Sequence, residues 1–228
     1  MTEPFLQTQW AVCGIAAAAA RFVPVPLLDD VVRRRAAQVA VVRTLRAHGR
    51  DHPSELVEAL WEEPDPARRG VRGRLRGLPR RLLLFPVRKY TAVFGAVRGV
   101  PNDVARVVLL ARAVDRRLEL GELSSPARVP DEAAALRRAV DEAIEGMDLR
   151  LLTAALADGL SRSRGLTTAA VAFVRGRLGG DEPDADVQVD GPLAEGAEEV
   201  TQVLRRPEIA TLLDHFDAEV AARVARGA

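Results

Sequence analysis

An all-α fold, a multi-helix bundle built from helical hairpins, is what this 228-residue sequence predicts. Three observations point there. Strand signals are nearly absent: there is no Asn-Gly or Asp-Gly hairpin flanked by alternating apolar residues, and Asp190-Gly191 sits in an acidic, proline-containing stretch instead. Proline, glycine and aspartate recur at intervals that start and stop helices. Apolar residues recur at helical spacing, as in Ile209, Leu212, Leu213, Phe216 and Val220, which makes that stripe a core-facing one.

Taken in order, residues 6–21 are alanine-rich and favour helix, and Pro24 and Pro26 interrupt them. Asp29 or Asp30 then serves as N-cap for a helix to about Ala47, ended by Gly49. Pro53-Ser54-Glu55 opens a short helix to about Trp61, closed by Pro64 and Pro66. A helix is expected after Pro86 to about Arg98, and a long one capped at Asn102-Asp103 runs to Leu120, stopped by Gly121. Residues 122–130 read as a linker. Helices are then expected from Asp131 through Glu145, with Leu136, Val140, Ala143 and Met147 on one face, from Asp148 to about Leu160, and from Thr167 or Thr168 to Leu178. Residues 179–196, rich in carboxylates around two prolines, read as a solvated acidic linker before C-terminal helices near 195–205 and 207–225. The division that follows is a basic helical-hairpin region (1–121), a linker (122–130), a helical region (131–178), an acidic linker (179–196) and the C-terminal helices (197–228).

Apolar residues make up 48% of the chain but aromatics only 4%, so the core has to be built from small aliphatic side chains. The net charge of +1 conceals a polarised chain. Residues 1–121 carry 21 basic and 12 acidic side chains, whereas residues 122–228 carry 12 and 20. Either a basic surface meets an anionic partner, or the basic half docks on the acidic half of the same chain. Cys13 is the sole cysteine, which excludes an internal disulfide and suits a reducing compartment. The first residues lack a signal peptide's basic leader, and no run reaches the roughly 20 apolar residues of a membrane span. A cytoplasmic location is therefore expected, with peripheral attachment at the inner face of the membrane as its finer form.

Two segments share an order of features. Residues 16–45 read as a small-residue helix, Arg21-Phe22-Val23-Pro24, a turn, then Asp30 opening a long helix; residues 91–118 repeat it with Arg98-Gly99-Val100-Pro101 and Asp103. With Asp30 set against Asp103, Ala40/Ala113, Val41/Val114, Arg43/Arg116 and Leu45/Leu118 coincide. The order in residues 14–56 resembles the hairpin of bacterial EcsC-like proteins and of YcjF-type domains found behind some GTPases. That resemblance implies a membrane-associated helical hairpin without known catalysis. Arg33, Arg34 and Arg35 depart from it by placing three adjacent charges where a penetrating helix is apolar. No G-x-x-x-x-G-K-[ST] loop is present, so no GTPase activity carries over.

The candidate site is the acid-free stretch from Ala67 to Asn102. Arg68, Arg69, Arg72, Arg76, Arg80, Arg81, Arg88 and Lys89 are the residues expected to bind an anionic surface. On a helix Arg68, Arg72 and Arg76 share a face beside Val71, Leu75, Leu78 and Leu82, the pattern of an interfacial segment. Leu82, Leu83, Leu84 and Phe85 are the expected apolar anchor. Gly70, Gly73, Gly77 and Pro79 weaken any helix here, so ordering on binding is one reading and a flexible loop neutralised by the acidic half is the other. Nucleic acid is the less favoured partner, because aromatics do not interleave with the arginines as stacking platforms.

No active site emerges. His48, Asp51 and His52 are close in sequence, but Gly49 breaks the helix that would align the histidines, and His215 lies between Asp214 and Asp217 without a further ligand type. All are expected to be helix-end side chains. Cys13 is expected to be a small buried hydrophobe, Asp30 and Asp103 caps, and Ser124, Ser125, Ser161 and Ser163 lack a nucleophile-elbow context. The sequence thus predicts a protein that is not an enzyme and needs no cofactor or metal. Its partner is an anionic lipid surface or an acidic protein. The expected function is a peripheral membrane-associated or adaptor protein. The alternatives are a soluble protein–protein interaction module with intramolecular charge pairing, and a nucleic-acid-binding regulator.

Overall fold

The computed structural model describes residues 4–22, 28–62, 93–178 and 189–227. Among them are nine α-helices and no strand: α1 (Pro4–Ala19), α2 (Leu28–Ala47), α3 (Ser54–Val57), α4 (Val100–Glu119), α5 (Val129–Gly146), α6 (Arg150–Arg162), α7 (Leu166–Leu178), α8 (Gly191–Leu204) and α9 (Pro207–Gly227). The multi-helix bundle is as expected.

α1 sits in the middle. From Gln9 to Ala19 every residue is buried, because a helix apolar on all faces is stable only when other elements surround it. α2, α4, α7 and α8 all pack on it. The alanines let these neighbours approach closely, and Gly14 faces Val104 of α4 at the closest crossing. α2 returns antiparallel to α1. Trp10 Nε1 donates to Thr44 Oγ1 at 2.8 Å, and the Arg43 guanidinium donates to Gln9 Oε1, so the buried Trp10, Gln9 and Thr44 side chains have partners.

α4 runs parallel to α2. Their N-terminal ends meet through Arg33 and Asp103 at 3.8 Å, and their C-terminal ends through His48 and Asp115 at 2.8 Å. On the far side, α6 and α8 form an antiparallel pair in which Gly159 lies against Val203 and Arg162 reaches Glu199. α9 closes the bundle against α5, burying Ile209, Leu213, Phe216 and Val220 of the predicted stripe with Leu212 partly buried. Each such large apolar side chain contributes about 1.5–3 kcal/mol when fully buried. On α5, Leu136, Val140 and Ala143 are buried and Met147 packs at their edge, again as predicted.

Several boundaries differ from expectation. Within the stretch expected to be helical up to Arg98, residues 93–99 form a 3₁₀ turn (Phe94–Ala96) and a tight turn. Two glycines explain this. A Cβ on Gly95 would overlap the Ala157 carbonyl oxygen and come 2.9 Å from Ser161 N, so this turn presses directly on α6. Gly99 has φ +91°, a left-handed conformation that ends one segment and starts α4. The candidate repeat therefore matches in its second helices but not in its first.

Asp29, Asp30 and Asp103 lie in the first turns of their helices rather than at the N-caps; Gly99 is the N-cap of α4. α5 starts at Val129, two residues earlier than expected, because Val129 is fully buried and Pro130 suits a first turn. α6 starts at Arg150, with Asp148 Oδ1 accepting its backbone N–H at 3.0 Å. α8 starts at Gly191, inside the expected acidic linker, since Pro192 opens it and Leu193 and Gly196 are buried. Residues 179–188 of that linker lie outside the described residues.

Candidate functional site

The predicted surface-binding residues Arg68, Arg69, Arg72, Arg76, Arg80, Arg81, Arg88 and Lys89, and the predicted anchor Leu82, Leu83, Leu84 and Phe85, all lie outside the described residues. The described residues do define the setting for that segment. They carry 24 basic and 25 acidic side chains, so the helical body is close to neutral. Residues 63–92 carry nine basic and two acidic side chains, and residues 179–188 carry four acidic and no basic ones. The polarity of the chain thus resides mainly in two short stretches and only weakly in the helices.

Within the body, many arginines are engaged by carboxylates. At one end of the bundle the Arg21 guanidinium grips Asp103 through two hydrogen bonds, Nε to Oδ2 and Nη2 to Oδ1 at 3.1 Å. The hydrogen bond to Asp103 raises the Arg21 pKa above its ordinary value, outweighing the burial that would lower it. Arg33 approaches Asp29 and Asp30 at 3.6 Å each as well as Asp103. This places Asp103 as a buried acceptor that joins the end of α1 to the starts of α2 and α4.

A second network joins α4 to α9. Arg112 donates to both carboxylate oxygens of Asp217, at 2.7–3.1 Å, and to Asp214 at 3.3 Å. Arg116 donates to Asp217 at 3.1 Å and to Glu119 at 2.7 Å. The Arg116 pKa is raised, chiefly by Glu119. Glu119 is lowered: burial alone would raise it, and the Arg116 hydrogen bond is among the contacts that outweigh this. Arg117, almost fully buried, pairs with Glu122 at 2.9 Å. Basic residues of the first half thus meet acidic residues of the second within the folded body.

A third cluster lies at the opposite end of α2. His48 Nε2 is 2.8 Å from Asp115 Oδ1, and His52 Nε2 is 2.8 Å from the Leu123 carbonyl oxygen. Carbonyl and carboxylate oxygens only accept, so Nε2 bears the hydrogen in both rings. Against the expectation of plain helix-end histidines, His215 is exposed in the middle of α9, and His48 and His52 tie the α2–α3 loop to α4 and to the α4–α5 connection. Leu123 is buried with φ +53°, unusual for a residue with a side chain, and Glu132 Oε2 accepts its backbone N–H at 2.7 Å. Among the described residues no group of three or more His, Cys, Asp or Glu side chains is arranged to hold a metal ion.

Cys13 is buried in α1, and desolvation pushes its thiol up to about 12, so it is an inert core side chain as expected. Asp148 is held down at about 2 by the exposed Arg150 guanidinium. Ser161 donates to the Ala157 carbonyl oxygen at 2.6 Å within α6, which is a helix-internal bond rather than a nucleophile's activation.

The buried ion pairs were not legible as such in the sequence. One signal did exist for Asp115: helical spacing puts it on the buried face of α4 beside Ala111, Val114 and Leu118, where a charge needs a partner. No protein-family model, curated protein or solved structure matches the chain. No helix among the described residues is long and apolar enough to cross a membrane.

Proposed function

We propose that the chain is a non-catalytic, peripheral membrane-associated or adaptor protein whose residues 67–92 contact an anionic surface at the cytoplasmic face. Residues 93–101 of the acid-free stretch belong to the folded body, where Phe94 and Val100 are buried. The observation that carries this reading is the mismatch in charge between two parts of one chain. The helical body is nearly neutral, with many arginines already paired, whereas residues 63–92 hold nine basic residues and two acidic ones. Near an anionic bilayer each arginine contributes on the order of 1 kcal/mol, so several together can retain a protein at the surface. Leu82 to Phe85 would add apolar anchorage. The resemblance of residues 14–56 to EcsC-like hairpins supports the same class.

Co-sedimentation with vesicles tests the reading directly. The full chain is expected to pellet with vesicles containing anionic lipid, to stay in solution with zwitterionic ones, and to be released by high salt. Equal, negligible binding to both overturns it. Replacing Arg68, Arg72 and Arg76 by Gln should weaken binding without changing the helical circular dichroism signal.

A second reading, an interaction module with intramolecular charge pairing, is favoured by the contacts of Arg112 and Arg116 with Asp214 and Asp217. Because α8 already begins at Gly191, its test is confined to Asp181, Glu182, Asp184 and Asp186. Neutralising these four should increase nonspecific binding to anionic resin and lower thermal stability. No change in either counts against this reading.

A further inference from the structure

We draw no further inference here: the strongest candidate, the open groove of about 610 Å3 between the α5–α6 turn and α9, lined by Met147, Asp148, Leu212, His215, Glu219 and Arg223 among others, carries nothing because Arg150 and Arg223 already pair its Asp148 and Glu219 carboxylates and nothing in the structure shows what covers it.

Discussion

α2 and α4 begin from similar stretches of sequence, run side by side in the same direction, and place their matching aspartates in very different surroundings. Asp30 in the first turn of α2 is 43% exposed and approaches Arg33 at 3.6 Å, a surface pair one helical turn away. Asp103, its counterpart in α4, is 10% exposed and receives two hydrogen bonds from Arg21 at the end of α1. The difference comes from position. α4 is buried along most of its length between α1, α2, α5 and α6, whereas α2 keeps more of its residues, Asp30, Arg34 and Arg35 among them, partly in solvent. A first-turn carboxylate interacts favourably with the helix dipole in either place. Only the buried one also fixes how three helix ends meet.

The largest test of this comparison concerns the turns that precede the two helices. Phe22 and Phe94 are both buried and stack with centroids 5.4 Å apart, so they couple the two units directly. Either Phe→Ala substitution should cost about 3–5 kcal/mol in urea unfolding. Because the rings touch, the double variant should lose less than the sum. Strict additivity would mean that the two turns are energetically independent.

Next in size is the aspartate pair itself. Asp103→Ala leaves the partly buried Arg21 without its acceptor and should cost about 2 kcal/mol, reduced from the fully buried case because Arg21 is a third exposed. Asp30→Ala should cost less than about 0.5 kcal/mol. Equal losses in chemical denaturation would remove the distinction drawn between the two sites. At the other end of the helices, His48→Ala deletes one hydrogen bond to Asp115 and should cost about 1 kcal/mol, accompanied by faster amide exchange in residues 49–52. Unchanged exchange there would show that the loop is held by packing alone.

The smallest effect is on pH dependence, and it sharpens the contrast between α4 and its outer neighbours. Glu119 has its pKa lowered in the folded protein from an ordinary 4.5, and Asp148 from 3.8 to about 2. A lowered carboxylate binds fewer protons folded than unfolded, so its contribution is present above the ordinary value and is lost as pH falls through the lowered one. The thermal midpoint should therefore decline between pH 4.5 and 2. Glu119→Gln should flatten the upper part of that decline. A midpoint that rises with acid would contradict these assignments.

Much of the helical layout was legible because its signals are local. Gly49 and Gly121 end helices with positive φ, as expected of glycine after a last turn. The stripe from Ile209 to Val220 faces the core because its spacing admits one apolar face. The turn at residues 94–96 differs from the expected helix where Gly95 meets α6, a partner remote in sequence, and where Gly99 takes a left-handed conformation. Val129 and Leu193 extended their helices beyond the expected starts because each is buried against partners remote in sequence. The candidate binding segment rests on composition and helical spacing, and its expected surface-binding and anchor residues, Arg68 to Lys89, lie outside the described residues.

By itself, the sequence determined the all-helical class, most helix ends and the apolar faces, since glycine and proline conformations and the 3.6-residue period act within a few residues. It also determined the concentration of positive charge in residues 63–92. Only the tertiary structure decided that α1 is central, that Asp103 and not Asp30 is buried, and that Arg112 serves α9. The physical reason is that desolvation and ion pairing depend on what surrounds a side chain in space. Two aspartates in similar local sequences, both near Arg33, can therefore differ in burial and in energetic weight.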